Sequence, residues 1–168
     1  MSGDSTLDLG LGAPYHIGIA VYDIEKAMER YGKTLGIGDW RLQEVAEGAS
    51  QWHWHGEPAP SPGMKFAYSV TDLPLLEFIE PTGSVDSSVA KHLREHGEGV
   101  FHVGYFVDNL PELLERAAQL GISAEAVGSG AGIAYLDPAG AHGLRIELVS
   151  SDLRVPLLHW VRTGEWTL

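Results

Sequence analysis

The sequence predicts an α+β fold made of two pseudo-symmetric halves, each running strand, helix, strand, strand, strand. Three observations carry this. The chain repeats itself: HIGIAVYDIEKAMERYGKTLGI (16–37) aligns with HVGYFVDNLPELLERAAQLGI (102–122). His16 falls on His102, Gly18 on Gly104, Val21 on Val107, Glu29 on Glu115 and Arg30 on Arg116; after one gap Leu35-Gly36-Ile37 meets Leu120-Gly121-Ile122. An internal repeat constrains architecture before any single element does. Next, each copy switches from an alternating apolar pattern to a helical one, the signature of a strand feeding a helix. Finally, 168 residues at 44% hydrophobic content can bury one sizeable core, whereas a half-length piece is too short to do so securely alone.

Taken in order, 1–13 (MSGDSTLDLGLGA) carries no periodic pattern and reads as a flexible lead; it has neither the basic start nor the apolar core of a signal peptide. Tyr15 to Tyr22 alternates and is rich in Ile and Val, a strand. Ile24, Ala27, Met28, Tyr31 and Leu35 fall at helical spacing behind Asp23, a good N-cap, and Gly36 and Gly38 stop the helix. Trp40 to Val45 is a second strand. Residues 46–63 are rich in Gly and Pro around the word QWHWHG. Met64 to Val70 and Leu75 to Glu80 close the first half, and Pro81-Thr82-Gly83 turns the chain.

A linker at 84–98 contains a short helix at 86–96. The second half then repeats the order. Val100 to Val107 is a strand, and Asn109 caps a helix bearing Leu110, Leu113, Leu114 and Ala117, with Glu112 as its capping-box partner. Strands follow near 123–128, 131–137 and 143–149, the last after the turn Asp137-Pro138-Ala139-Gly140. The glycines of VGSGAGIAY lack a helix after them and read as a hairpin, not a phosphate loop. The tail, 151–168, is amphipathic and packs back on the sheet. The predicted organisation is a single domain at 14–150, with module one at 14–83, the linker helix at 84–98, module two at 99–150 and a C-terminal extension.

Chemistry concentrates at four positions. Side chains alternate across a strand, so His16 shares its face with Gly18, and His102 shares its face with Gly104 and Phe106. A strand glycine marks a close approach by a ligand or another backbone, and here it recurs at one repeat position beside each histidine. The closing strands each hold a glutamate among apolar neighbours: Glu77 in LLEFIEP and Glu147 in LRIELV. A carboxylate in such a setting is costly unless it is paired or binds a metal. Two His and two Glu in repeat register supply two nitrogens and two oxygens for one divalent ion.

These segments, YHIGIAV, LLEFIEP, FHVGYFVDNL and YLDPAGAHGLRIELV, resemble the vicinal oxygen chelate superfamily, which includes glyoxalase I, bleomycin-resistance proteins, extradiol dioxygenases and methylmalonyl-CoA epimerase. The resemblance covers about residues 14–150. It implies two βαβββ modules forming a curved mixed sheet around one metal site, with His16, Glu77, His102 and Glu147 as ligands to Zn, Co, Ni, Mn or Fe. It also implies a homodimer. Extradiol dioxygenases use two His and one Glu, and Glu77 would fill the position they keep open. Bleomycin-resistance-type binders typically lack the ligands. The full set looks most like the isomerase, epimerase and lyase branches, and LLEFIEPTG with its linker helix most resembles methylmalonyl-CoA epimerase. The function so implied is proton transfer beside a chelated carbonyl or carboxylate of a small substrate, with Glu147 and Glu77 as the catalytic pair. An iron-dependent ring-cleaving dioxygenase and a non-catalytic binding or resistance protein are the alternatives.

Composition narrows the partners. The net charge of −12 argues against nucleic acid, whose binding rests on Lys and Arg neutralising phosphates. It also disfavours polyanionic coenzyme A, for which the scattered basic residues form no cluster, and points to an apolar or aromatic oxygenated substrate. No apolar run is long enough to span a membrane. The absence of cysteine is compatible with a cytoplasmic location. If residues 51–55 are extended, Trp52 and Trp54 face one side and His53 and His55 the other; these four, with His142 before the last strand, are further candidates for the pocket. The pair His92 and His96 sits at helical spacing but lacks the Glu of H-E-x-x-H, and reads as an exposed helix face.

Overall fold

The computed structural model describes residues 8–167, so residues 1–7 of the predicted flexible lead lie outside the described chain. The first half contains β1 (His16–Ala20), α1 (Ile24–Leu35), β2 (Trp40–Val45), β3 (Gln51–Trp54), β4 (Glu57–Pro60), β5 (Met64–Ser69) and β6 (Leu75–Pro81). After α2 (Ser88–His96), the second half contains β7 (Gly99–Val107), α3 (Leu110–Gln119), β8 (Ala124–Gly128), β9 (Ile133–Leu136) and β10 (Ile146–Ser150), and α4 (Arg154–Thr163) follows. Asp23 caps α1 by accepting from the Lys26 amide, and Asn109 caps α3 by accepting from the Glu112 amide while donating to its carboxylate. Both caps stand where the sequence places them.

One mixed sheet contains all ten strands, in the order β2-β5-β6-β1-β7-β10-β9-β8-β3-β4. The two copies meet at its centre, where β1 and β7 pair antiparallel, and each is flanked by the closing strand of its own half, β6 or β10, in parallel. The sheet must curl. Eight inter-strand steps separate β2 from β3, which in a flat sheet is about 38 Å. Residues 46–50 are the whole connection between them, and such a link reaches at most about 20 Å. The expected βαβββ order therefore holds in the second half, while the first half carries an added hairpin. That hairpin, β3–β4, crosses over to extend the far edge by pairing with β8.

The helices divide between the two faces. On the convex face α1 packs Ile24, Ala27, Met28 and Tyr31 against Ala67 and Phe78, and α3 packs Leu113 and Ala117 against Leu136, Ile146 and Leu148. On the concave face α2 sets Val89 and Leu93 on Met64, Ile79 and Phe101, while α4 sets Leu157, Trp160 and Val161 on Tyr15, Tyr68, Leu75 and Val149. The C-terminal extension thus packs on the sheet, as its pattern predicts. Residues 8–13 are less free than the sequence suggests, because Leu9 and Leu11 pack against the α3 cluster. Among the described residues no helix is long and apolar enough to cross a membrane.

Candidate metal centre

The strand register places the two histidines and two glutamates in two adjoining rows on the concave face. In one row Gly18 of β1 lies between Glu77 of β6 and His102 of β7; in the other Gly104 of β7 lies between His16 of β1 and Glu147 of β10. The glycines serve each other's halves. A Cβ built at Gly18 would overlap the His102 ring, and one at Gly104 would overlap the His16 ring. Each imidazole therefore lies across the bare backbone of the opposite half and reaches the glutamate one strand beyond. The sequence correctly marks space at both positions, but the space is taken by the other copy's histidine. Gly18 and Gly104 lie beneath the site and do not line its cavity.

The four side chains converge on one point. His16 and His102 are fully buried, and Glu77 and Glu147 are 2% and 5% exposed. The two Nε2 atoms stand 2.5 Å apart. Glu77 Oε2 lies 3.2 Å from each of them, and Glu147 Oε2 lies 3.1 Å from His16 and 3.5 Å from His102. One donor atom from each residue falls within 4.8 Å of all the others. Glu77 Oε2 and both Nδ1 atoms are buried without a hydrogen-bond partner. A group of two imidazoles and two carboxylates, buried and aimed at each other with an orphaned oxygen, fits a divalent ion.

Two tyrosines complete the rows and a third stands beside them, and sequence reasoning missed all three as site residues. Tyr68 of β5 stands opposite Glu77, and Tyr135 of β9 stands opposite Glu147. Each hydroxyl lies beside the carboxylate it faces. Each row thus reads Tyr-Glu-Gly-His across four strands. Tyr15 sits edge-on to His16. Burial, and then the field of Glu147 and Glu77, pushes Tyr15 and Tyr135 well above the usual tyrosine range; Tyr68 is raised by burial, then Glu77. All three stay neutral. No single-sequence signal separates them from core aromatics, since only the register brings them opposite the glutamates.

Burial pushes both carboxylates up, but the paired histidines outweigh it and hold Glu147 far below, and Glu77 below, the ordinary carboxylate range. Burial likewise pushes His16 down, and Glu77 and Glu147 reverse this, raising it from 6.5 to about 10. His102 is also raised, against its own burial, chiefly by Glu147.

Above the cluster lies a cavity of about 310 Å³ whose walls include Glu77, Glu147, Tyr15, Tyr68 and Tyr135. Trp52 and Trp54 line it, as alternation along β3 predicts, while His53 and His55 are exposed and lie outside its walls. Phe106 and His142 also lie outside its walls. Phe106 stacks behind Tyr15 at 3.8 Å, and His142 ends the short turn 138–141 on the surface. His92 and His96 take no part in the cluster. Leu153, Leu157 and Trp166 enter the wall from the C-terminal segment, a contribution that follows only from where α4 packs.

A sequence profile of the Glyoxalase/Bleomycin resistance protein/Dioxygenase superfamily matches residues 15–136, a span that holds His16, Glu77 and His102. The chain is 31% identical over 147 residues to the mitochondrial methylmalonyl-CoA epimerase of Bos taurus, covering 82% of this chain and 74% of that protein. In fold it is similar to methylmalonyl-CoA epimerase from Mycobacterium tuberculosis, with TM-score 0.55, 24% identity, and 83% and 88% of the two chains covered. It is also similar to a Streptomyces coelicolor methylmalonyl-CoA epimerase in complex with 2-nitronate-propionyl-CoA, with TM-score 0.60, 23% identity, and 84% and 98% covered.

Proposed function

The chain belongs to the glyoxalase/bleomycin resistance protein/dioxygenase superfamily, and from that membership we propose that it is a divalent-metal-dependent enzyme of the epimerase or isomerase type. It moves a proton beside a chelated carbonyl or carboxylate of a small, apolar or aromatic substrate. The observation that carries this is the pair of Tyr-Glu-Gly-His rows, which aims two imidazoles and two carboxylates at one buried point on the floor of a cavity. His16, Glu77, His102 and Glu147 hold the ion. Bound there, it supplies Lewis acidity to a substrate oxygen and makes the adjoining C–H more acidic.

The chain's own groups move the proton. Glu147 and Glu77 flank the central strand pair from opposite sides. One carboxylate takes the proton and the other returns it, which changes the configuration of one carbon or shifts the proton to its neighbour. The neutral hydroxyls of Tyr135 and Tyr68, standing opposite these carboxylates, help to orient them. The related epimerase's name points to a coenzyme A thioester, but no lysine or arginine lines this cavity among the described residues, and the whole chain carries −12. The same reaction type on a smaller, uncharged body fits better. A homodimer in the cytoplasm completes this reading.

Metal content tests it. Untagged protein purified without chelator is expected to hold about one equivalent of divalent metal by plasma mass spectrometry, and His102→Ala to hold less than a tenth of that. Wild-type protein that neither retains metal nor takes it up on reconstitution would sink the enzyme and leave a binding protein. Stoichiometric iron with oxygen consumption would favour the ring-cleaving reaction instead.

Metal uptake is also expected to depend on pH. At pH 7 the metal-free site holds a proton on His16, because that residue's folded value, raised from 6.5 to about 10, lies well above 7. Its coordinating nitrogen must lose that proton, so uptake releases about one proton and apparent affinity rises roughly tenfold per pH unit until about pH 10. The same shift stabilises the metal-free fold fully below pH 6.5 and is lost as pH climbs through about 10. Calorimetry in buffers of different ionisation enthalpy counts the proton; zero release at pH 7 would contradict the charge state argued for the cluster.

A further inference from the structure

The added hairpin builds an aromatic run that leads away from the candidate centre. His102 meets Tyr135 edge-on with ring centroids 5.4 Å apart. Tyr135 then lies near-parallel to Trp52 at 6.2 Å and 24°, and Trp52 near-parallel to Trp54 at 6.1 Å and 21°. Tyr135, Trp52 and Trp54 all border the cavity. The run joins both halves of the chain, because it depends on β3 of the first half pairing with β8 of the second. Trp52 is fixed in place by donating its indole N–H to Ser50 Oγ at 3.1 Å. The Trp54 Nε1 group is buried and has no acceptor in the protein.

Resting on the metal-centre reading above, we propose that the substrate carries a planar ring system of at least two fused rings, which extends from its oxygen-bearing end along Tyr135, Trp52 and Trp54. Aromatic faces attract one another in offset arrangements at centroid separations of about 4.5–7 Å. Tyr135 is the first ring of the run beyond His102 and Trp52 the second, so a ligand ring at the centre meets Tyr135 and a second fused ring extends toward Trp52. The cavity volume of about 310 Å³ lies at the lower end of the range for small-molecule sites, about 300–1,000 Å³. It suits a compact flat body better than a long chain. The cavity's lack of cationic side chains limits charge on the ligand to the end that meets the centre.

Calorimetry with three probes tests this: 1-hydroxy-2-naphthoate, its 5,6,7,8-tetrahydro analogue, and salicylate. All share the same vicinal oxygens and differ in whether a second ring is aromatic, saturated or absent. Each is titrated into metal-loaded and metal-free wild-type protein, Trp52→Leu and Trp52→Phe. The naphthoate is expected to bind at least tenfold more tightly than salicylate and at least threefold more tightly than the tetrahydro analogue. This order should hold with and without metal. Trp52→Leu should reduce both preferences to below twofold, and Trp52→Phe should keep most of them. Equal affinity for naphthoate and its tetrahydro analogue overturns the proposal, as does an undiminished preference in Trp52→Leu. The metal reading fails separately, if loading the protein strengthens none of the probes while the ring preference persists. Should Trp52→Leu fail to fold, the two wild-type comparisons and Trp52→Phe still decide.

Discussion

Gly104→Ala is expected to abolish stoichiometric metal uptake and to lower the melting temperature by roughly 5–10 °C. The new Cβ would overlap the His16 ring. That ring is fully buried and pressed edge-on by Tyr15, and Gly104 sits in a central strand bonded on both sides. Neither partner has room to withdraw. Overpacking of this kind costs about 1–3 kcal/mol or more, and each kcal/mol shifts the midpoint of a domain this size by about 2–4 °C. Gly99→Ala, in the same strand but facing open space, serves as the control and should change stability by no more than about 0.5 kcal/mol. Differential scanning fluorimetry and metal analysis read both variants. Wild-type metal content in Gly104→Ala would mean that His16 does not lie where the register puts it.

Glu147→Gln is expected to leave the fold intact and to slow proton transfer by about 10³-fold, roughly 4 kcal/mol of barrier. The amide keeps the shape of the carboxylate but cannot take a proton, and it removes one of the two charges that hold His16 and His102 in their raised state. Glu77→Gln should show a comparable loss if the two residues act as a pair. The measurement is exchange of the substrate C–H for deuterium in D₂O, followed by proton NMR, with methylmalonyl-CoA and 2-hydroxyacetophenone as the two test compounds. A metal-loaded Glu147→Gln protein exchanging at the wild-type rate would remove Glu147 from the catalytic role. Exchange confined to methylmalonyl-CoA would return the substrate to the thioester class, although no lysine or arginine lines the cavity among the described residues.

Much of this site was legible in the chain because it is written twice. A histidine, a glycine two residues later and a closing-strand glutamate recur at matching positions, so each copy corroborates the other. Both helix caps were equally plain, since a cap is a local contact between residues three apart. Three features were not legible. The tyrosines opposite Glu77 and Glu147 look like any other half-buried strand aromatics until a register is known. The glycines beside each histidine in sequence turned out to clear space for the histidine of the other copy. The QWHWHG segment showed its alternation, but nothing local told that its strand would leave its own module and pair with β8.

The sequence by itself therefore determined the family, the α+β repeat, the identity of the four converging residues and that the two tryptophans of β3 share a side. These follow from period, spacing and duplication, all of which act over a few residues or are copied outright. The tertiary structure decided which half each side chain serves, which hydroxyls face the carboxylates and what walls the cavity. Those depend on pairing between strands far apart in the chain. A strand's pattern says which face is buried, but it does not name the partner, and it is the partner that puts Tyr68 on Glu77, His16 over Gly104 and Trp52 beside Tyr135.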